Sequence, residues 1–328
     1  MINFDNFVGN EKLKDRLSAL IESRSVPQAI MFEGKQGLGK RTLVSQLVRS
    51  LLCTGDDRPC DRCSACAKTK NLAHPDVVVI DGNEPKALSV DAIRGIRSDS
   101  FIKPNEADYK IYLFFNADNM QEEAQNAILK VLEEPSAYCV FIFTVENRSS
   151  LLPTVLSRAV CMELFPAPVD QAVEAIRRIL PDENVENIEK AAEIFSGNIG
   201  AAVNSLCSGE FATLYETSLR ILNALSALDE YELLSESARF EGEKELFTGC
   251  VTVLGLAVRD ALTLKLGGKG TVSGFDSKEL DVLRSLTAKQ LLSLKYELDE
   301  IRSALSRSPN FTLLTTRFCA RLRSACGR

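Results

Sequence analysis

Four cysteines within fourteen positions form the densest group of metal-binding side chains in this sequence. Cys53, Cys60, Cys63 and Cys66 follow the pattern C-x6-C-x2-C-x2-C. A Cys-x2-Cys pair lets two sulfurs reach one ion from a tight turn, and four thiolates complete a tetrahedral shell. The spacing predicts a structural zinc site, with a redox pair or buried free thiols as the competing interpretations. Because four thiolates leave no open coordination position, we expect no catalysis at this zinc.

A glycine-rich segment at residues 34–42, GKQGLGKRT, lies between an apolar run of strand length and a helical pattern. In this setting, the glycines of a phosphate-binding loop let backbone N–H groups converge on an anion at a helix N-terminus. Lys40 would reach the outer phosphates. The residues predicted to line this nucleotide pocket are Gly34, Gly37, Gly39, Lys40 and Thr42.

The same loop departs from a working ATPase pattern. The position after Lys40 requires a hydroxyl that ligates Mg²⁺, but the chain has Arg41 there, and Thr42 comes one residue late. One residue turns a side chain by about 100° around a helix, so Thr42 cannot simply replace the missing hydroxyl. A tight strand-to-helix connection without a ligand is the alternative interpretation.

The acids needed for ATP hydrolysis are also missing from the sequence. Hydrolysis needs two acids at the end of a later strand, one to bind Mg²⁺ and one to activate the attacking water. The candidate strand, within KIYLFFNADNM at residues 110–120, closes with Phe115 and Asn116. Neither side chain is an acid, and Asp118 falls in the following turn. We therefore expect ATP hydrolysis to be lost, whereas the binding of ATP or ADP stays open.

Alternating strands and helices fill the first 165 residues. Since the apolar strands lack polar alternation and are separated by helices, they predict a parallel sheet covered on both faces. The predicted strands are Ala29–Glu33, Val77–Ile80, Ile111–Phe115 and Cys139–Val145, and the predicted helices include Thr42–Leu52 and Gln121–Glu134.

Beyond Phe165 the pattern becomes helical. The predicted class is α/β plus all-α, in three parts: an α/β domain at residues 1–166 that carries the four-cysteine module (53–66), a small helical domain at 167–208 and a larger helical domain at 209–328.

Composition excludes several classes of protein. The 328 residues carry a net charge of −6, with ten cysteines and one histidine, which disfavours a protein that coats nucleic acid with its whole surface. The start has no apolar leader, and the longest uncharged stretch, 246–258, is shorter than the ~18 residues of a membrane span. We expect a cytosolic protein without disulfides or a membrane partner.

The remaining cysteines and the histidine have simpler expected roles. His74, eight residues past the last cysteine of the cluster, is interpreted as a loop residue rather than a fifth ligand. The other cysteines lie on apolar segments and are expected to be core thiols: Cys139, Cys161, Cys207, Cys250, Cys319 and Cys326. The final segment, residues 301–328, carries six arginines and no acid, which indicates an exposed collar helix or a contact with DNA or an acidic partner.

Several motifs together resemble the clamp-loader ATPases of the bacterial replicase. They are the cysteine cluster after the phosphate-loop helix and the segments FDNFVGN (4–10), AQNAILKVLEEP (124–135) and LLPTVLSR (151–158). The resemblance covers residues 4–165, and the three-part layout extends it over the chain. It implies an AAA+ fold: a RecA-like domain with a zinc module, a helical lid, and a helical collar that closes a pentameric ring.

The resemblance also implies roles for single residues. Ser157 and Arg158 match the Ser-Arg pair that projects into a neighbouring subunit's ATP site, where the arginine meets the γ-phosphate. The family motif usually continues with cysteine, but this chain has Ala159, which leaves the charge in place. Thr144 matches a position that senses the γ-phosphate. Gly200 stands where hydrolysing relatives carry a second sensing arginine.

A non-catalytic clamp-loader subunit is the function that this resemblance implies. Its expected partners are gamma/tau and delta subunits in a hetero-pentamer, with the sliding clamp and primer–template DNA reached through that complex. Two alternatives stay open: an active ATPase of the gamma/tau type, and an AAA+ adaptor in repair or helicase loading.

Overall fold

The computed structural model describes residues 2, 4, 6–70, 72–227, 230–268, 271–305 and 311–326. The chain divides into two compact units, Met1–Ala167 and Pro168–Arg328. A further division of the second unit into a lid (167–208) and a collar (209–328) stays a prediction.

Five strands build the sheet of the first unit, in the order β2-β3-β4-β1-β5. Every neighbouring pair is parallel. The carboxyl ends of all five strands therefore meet at one edge, where open parallel sheets bind their ligands. The strands are β1 (Ala29–Glu33), β2 (Val77–Asp81), β3 (Lys110–Phe115), β4 (Cys139–Val145) and β5 (Val160–Glu163).

Helices cover both faces of this sheet, which explains why its strands are mainly apolar, with charged residues only at their ends. Along β4, Val140 and Ile142 join the core on one face, and Phe141 and Phe143 join the core on the other. On the second face, the Phe143 and Phe114 rings stack with centroids 4.7 Å apart. The helices are α1 (Glu11–Glu22), α2 (Lys40–Leu52), α3 (Ser64–Lys70), α4 (Val90–Asp99), α5 (Glu122–Glu133) and α6 (Pro153–Leu156). Short 3₁₀ turns span Ala117–Asn119 and Arg148–Ser150.

The described residues of the second unit form helices and no strands. They are α7 (Val169–Ile179), α8 (Val185–Ile194), α9 (Ile199–Ser208), α10 (Glu210–Ala227), α11 (Glu230–Ala238), α12 (Lys244–Lys265), α13 (Ser277–Asp281), α14 (Ala288–Leu305) and α15 (Phe311–Ala325), with a 3₁₀ turn at Val282–Ser285. Of these helices, α12 is long and apolar enough to cross a membrane by length and composition. Half of its most apolar window is buried inside the folded chain, as in the core helix of a soluble domain, so the signal is weak.

The predicted fold class is confirmed: a parallel α/β sheet is followed by a helical C-terminal part. The four predicted strands are present, and α5 ends at Glu133, ahead of Pro135. The prediction missed β5, a four-residue strand at the sheet edge.

The expectation of six core thiols is wrong at one position, because Cys207 is exposed near the end of α9. Cys161 is half-buried, and the other four thiols are buried. In the arginine-rich final segment, Arg302 pairs with Asp299 (3.1 Å) and Arg321 with Glu297 (3.5 Å). Arg307 and Arg328 lie outside the described residues.

Candidate functional site

The phosphate loop is a tight turn between β1 and α2. Gly37 and Gly39 have φ angles of +87° and +80°, which favour glycine. A Cβ on Gly39 would lie 3.1 Å from the Phe7 ring, so the loop packs directly against the N-terminal FDNFVGN segment. The Gly34 N–H donates to the Val145 carbonyl at 3.1 Å and joins the loop to the end of β4.

Lys40 folds back over this loop. Its ammonium donates to the carbonyl of Gly34 and, at 3.2 Å, to that of Lys35. Burial lowers the pKa of Lys40, although the carboxylates of Glu146 and Asp118 oppose the shift. The Lys40 ammonium is therefore held against the carbonyls of its own loop, with its charge partly desolvated.

Arg41 follows Lys40, at the sequence position where the phosphate-loop pattern has a Mg²⁺-ligating hydroxyl. Its guanidinium pairs with the carboxylate of Asp81, at the end of β2. The guanidinium carbon also lies 4.3 Å from the centroid of the Phe115 ring, which is buried at the end of β3. A cation and an aromatic ring are therefore in contact at the two positions where the sequence pattern predicts a hydroxyl for Mg²⁺ and an acid in an active ATPase.

Asp81 and Asn116 complete this network. The Asn116 amide donates to Asp81 Oδ1 at 2.9 Å, and the Asn83 N–H donates to the same oxygen at 3.1 Å. Partial burial opposes ionisation, but these hydrogen bonds and the Arg41 charge hold the pKa of Asp81 below its usual value. Asp81 was not among the predicted site residues, although an acid that closes an apolar strand is a signal that could have identified it.

Thr144 and Asp118 both accept hydrogen bonds from backbone N–H groups of the first unit. Thr144 Oγ1 accepts a hydrogen bond from the Asn116 N–H at 3.1 Å and thereby fixes the end of β3. Asp118 accepts from the N–H groups of Glu146 (2.8 Å) and Asn147 (3.2 Å), so it holds the loop after β4. Thr42 is exposed on the first turn of α2.

The structure places Arg158 just after α6, where Ser157 closes that short helix. Arg158 Nη1 donates to the Thr154 carbonyl at 2.9 Å and to Ser157 Oγ at 3.3 Å, and Nη2 donates to Glu133 Oε1 at 2.8 Å. These partners lie on α5 and α6 or beside them, not in the phosphate loop. About a third of the Arg158 side chain (34%) stays exposed.

The four predicted metal ligands come together. Their sulfur atoms all lie within 4.8 Å of one another, near the separation of about 3.8 Å that a tetrahedral shell with Zn–S bonds of ~2.3 Å requires. Cys53 and Cys66 are buried, whereas Cys60 and Cys63 are half-exposed. The arrangement can hold one metal ion.

Backbone N–H groups surround these sulfurs. Cys53 Sγ accepts from the N–H groups of Gly55 and Cys60, both at 3.3 Å, and Cys63 Sγ accepts from that of Cys66 at 3.4 Å. Burial opposes ionisation of Cys63, but backbone hydrogen bonds from Thr54 and Cys66 lower its pKa to about 6. Thiolates are the metal-binding form of cysteine, so the loop favours ligation.

Burial raises the pKa of Cys53 and of Cys66, and a bound cation would offset that desolvation. His74 is not part of the cluster. It is a buried loop residue whose Nδ1 accepts from the Asp76 N–H at 3.1 Å.

A five-stranded parallel sheet with a glycine-rich loop after β1, followed by a unit whose described residues form helices and no strands, is the arrangement expected of the RecA-like AAA+ class. Residues 9–168 match the family model described as DNA polymerase III, delta subunit. DNA polymerase III subunit delta' of Bacillus subtilis is 27% identical over 260 residues, 76% of each chain. Subunit delta' of Pseudomonas aeruginosa is 34% identical over 177 residues, 52% of this chain and 53% of that protein. Subunit tau of Bacillus subtilis is 28% identical over 195 residues, 59% of this chain and 34% of that protein.

Residues 9–168, just under half of the chain, therefore resemble this DNA polymerase III subunit family, and the resemblance seen in the sequence is confirmed. The matched regions span 34% of the tau subunit, 53% of one delta' subunit and 76% of the other.

Proposed function

We propose that this chain is a non-catalytic, delta'-type subunit of a bacterial DNA polymerase III clamp loader, which supplies Arg158 to the ATP site of an adjacent subunit. One observation carries the proposal. The Arg158 guanidinium is held at the surface, with Ser157 beside it, by hydrogen bonds to Glu133 at the end of α5 and to Thr154 in α6, whereas β3 beside the chain's own phosphate loop ends with Phe115 instead of an acid.

The chain's own pocket lacks the groups for hydrolysis. Arg41 replaces the hydroxyl that would ligate Mg²⁺, and its charge, fixed by Asp81, repels a metal ion at that place. Phe115 cannot ligate a metal ion, and the amide of Asn116 cannot accept the proton of an attacking water. Gly34, Gly37, Gly39, Lys40 and Thr42, with Thr144 as a sensor-like residue, form a degenerate nucleotide pocket, and the function that we propose requires no turnover there.

The trans role matches the chemistry of phosphoryl transfer. Negative charge spreads over the γ-phosphate oxygens in the transition state, and a planar guanidinium stabilises it through two parallel hydrogen bonds. In GTPases, an arginine supplied in this way raises kcat by about 10³–10⁵. Ser157, which donates to the Thr154 carbonyl at 3.0 Å, shapes the turn that presents Arg158.

The proposed partners are gamma/tau and delta subunits in a hetero-pentamer in the bacterial cytoplasm. The sliding clamp and primer–template DNA are reached through that complex. The similarity of residues 9–168 to DNA polymerase III subunits supports this assignment.

We also propose that Cys53, Cys60, Cys63 and Cys66 hold one structural zinc ion. Bound there, zinc ties together residues 53–66, which contribute little to the core themselves. The four thiolates fill a tetrahedral shell, so this zinc takes no part in chemistry.

An active ATPase of the gamma/tau type is the second candidate, favoured by the retained Lys40 and by the similarity to the tau subunit. It requires Mg²⁺-dependent turnover by the isolated chain. Arg41, Phe115 and Asn116 argue against it.

The test is a complex reconstituted with gamma/tau and delta subunits. In Arg158→Ala, we expect assembly to persist while clamp-stimulated ATP hydrolysis at the adjoining site falls at least about tenfold. Arg178→Ala, which removes another exposed arginine, is the matched control and should resemble the wild type. Unchanged hydrolysis in Arg158→Ala would refute the trans role.

A further inference from the structure

We propose that Glu133 is a positioning residue for Arg158: its carboxylate holds the guanidinium in the orientation in which the free edge faces the neighbouring subunit's triphosphate. This inference rests on the proposed function and adds to it a residue on a different helix. Glu133 ends α5, and its Oε1 lies 2.8 Å from Arg158 Nη2.

The hydrogen bonds of Arg158 divide its guanidinium into an occupied side and an open side. Nη1 donates to the Thr154 carbonyl and to Ser157 Oγ, and Nη2 donates once, to Glu133. Nε donates to no atom among the described residues. The Nε–H and one Nη2–H therefore remain as donors that a phosphate of the neighbouring subunit can accept from.

The position of Glu133 in the last turn of α5 does not stabilise that helix. A helix carries partial negative charge at its C-terminal end, so a carboxylate in the last turn is unfavourable there. Arg158 offsets that cost, which couples the end of α5 to the turn after α6. Glu134, the next residue, is also exposed and has no ion-pair partner in the described part of the chain.

Solvent exposure limits how strongly the ion pair between Glu133 and Arg158 can act. The Glu133 side chain is 49% exposed, and exposed ion pairs contribute little to stability. Orientation is the relevant quantity, because an arginine that acts in the transition state must be aligned before reaction. We expect removal of Glu133 to slow hydrolysis at the adjoining site about two- to fivefold, without measurable loss of folding or assembly.

The experiment compares Glu133→Ala with its matched control, Glu134→Ala, in the reconstituted complex with ATP. We expect a lower kcat with an unchanged KM for Glu133→Ala, near wild-type rates for Glu134→Ala, and partial recovery in Glu133→Gln, whose amide oxygen can still accept from Nη2. Thermal unfolding of the three variants alone should match that of the wild type.

A double variant separates positioning from other effects. If Glu133 acts through Arg158, then Glu133→Ala combined with Arg158→Ala hydrolyses ATP at the rate of Arg158→Ala alone. The inference is overturned if Glu133→Ala is as fast as Glu134→Ala, or faster than the wild type, while Arg158→Ala is impaired. An unimpaired Arg158→Ala would instead refute the proposed function.

Discussion

The guanidinium carbon of Arg41 lies 4.3 Å from the centre of the Phe115 ring. The sequence pattern predicts a Mg²⁺-ligating hydroxyl at the first of these positions and an acid at the second in an active ATPase. Their contact shows that the two replacements fit each other: the cation from the phosphate loop packs on the ring that closes β3 and pairs with Asp81 at the end of β2. A substitution of Arg41 alone therefore leaves Phe115 at the end of β3.

We predict that Arg41→Thr does not restore hydrolysis. A threonine supplies the hydroxyl for Mg²⁺, but Phe115 and Asn116 still provide no acid. Loss of the cation–π contact and of the ion pair should lower the free energy of unfolding by about 1 kcal/mol. Phosphate release with Mg²⁺·ATP and urea denaturation measure the two effects.

For Arg41→Thr, the control is Arg94→Thr, which removes an exposed helical arginine paired with Asp91 at 3.3 Å. Turnover by Arg41→Thr that depends on Mg²⁺ and exceeds that of this control would show that a usable acid exists elsewhere in the pocket.

Zinc content provides a second prediction. The purified chain should contain one zinc ion, and Cys60→Ser should lose it and melt at a lower temperature, since the cysteine loop depends on the metal. Atomic emission spectroscopy and thermal denaturation are the measurements. Cys207→Ser, which alters an exposed thiol outside the cluster, should keep both properties. Wild-type protein that folds fully after chelation would contradict the assignment.

We predict that zinc binding by the four cysteines requires a glycine at position 55. A Cβ at this position would lie 3.0 Å from Cys60 Cβ and 3.1 Å from its Sγ. We expect Gly55→Ala to displace a ligand and weaken zinc binding in a chelator competition. Gly95→Ala is the control, since a Cβ there meets nothing within 4 Å and should stabilise α4 by up to about 1 kcal/mol. If Gly55→Ala and Gly95→Ala bind zinc with equal affinity, a Cβ at position 55 does not displace Cys60.

Asp76 gives the chain an acid-sensitive contact. Burial opposes its ionisation, but the N–H groups of residues 105–107 donate to it and lower its pKa below the usual 3.8. Because the folded pKa is depressed, the stabilisation is present above about pH 3.8 and is lost as pH falls through the folded pKa. Asp76→Asn should lower the free energy of unfolding by roughly 3 kcal/mol at pH 7. It should also make that free energy depend less on pH below pH 4.

Urea denaturation at several pH values tests this expectation for Asp76. Asp91→Asn, at a 92% exposed carboxylate, is its control. If Asp76→Asn keeps wild-type stability at pH 7, the hydrogen bonds to Asp76 do not hold the 105–107 loop.

The sequence was informative where a local pattern fixes the structure. The runs at β1 and β4 predict buried strands because they are apolar and bounded by turns, and the cysteine spacing predicts ligands that meet. The edge strand β5 is only four residues long and half-exposed, so its pattern is weak. The pairs Arg41–Asp81 and Glu133–Arg158 join residues 40 and 25 positions apart, and no local pattern encodes such contacts.

ATP turnover by the reconstituted loader, compared between Lys40→Ala and Arg158→Ala of this chain, tests the central claim most directly. If the chain acts in a neighbour's site and not in its own, the Lys40→Ala complex should hydrolyse ATP at the wild-type rate, while the Arg158→Ala complex should be strongly impaired. The reverse result, with turnover lost in Lys40→Ala and retained in Arg158→Ala, would contradict this account and identify the chain as an ATPase.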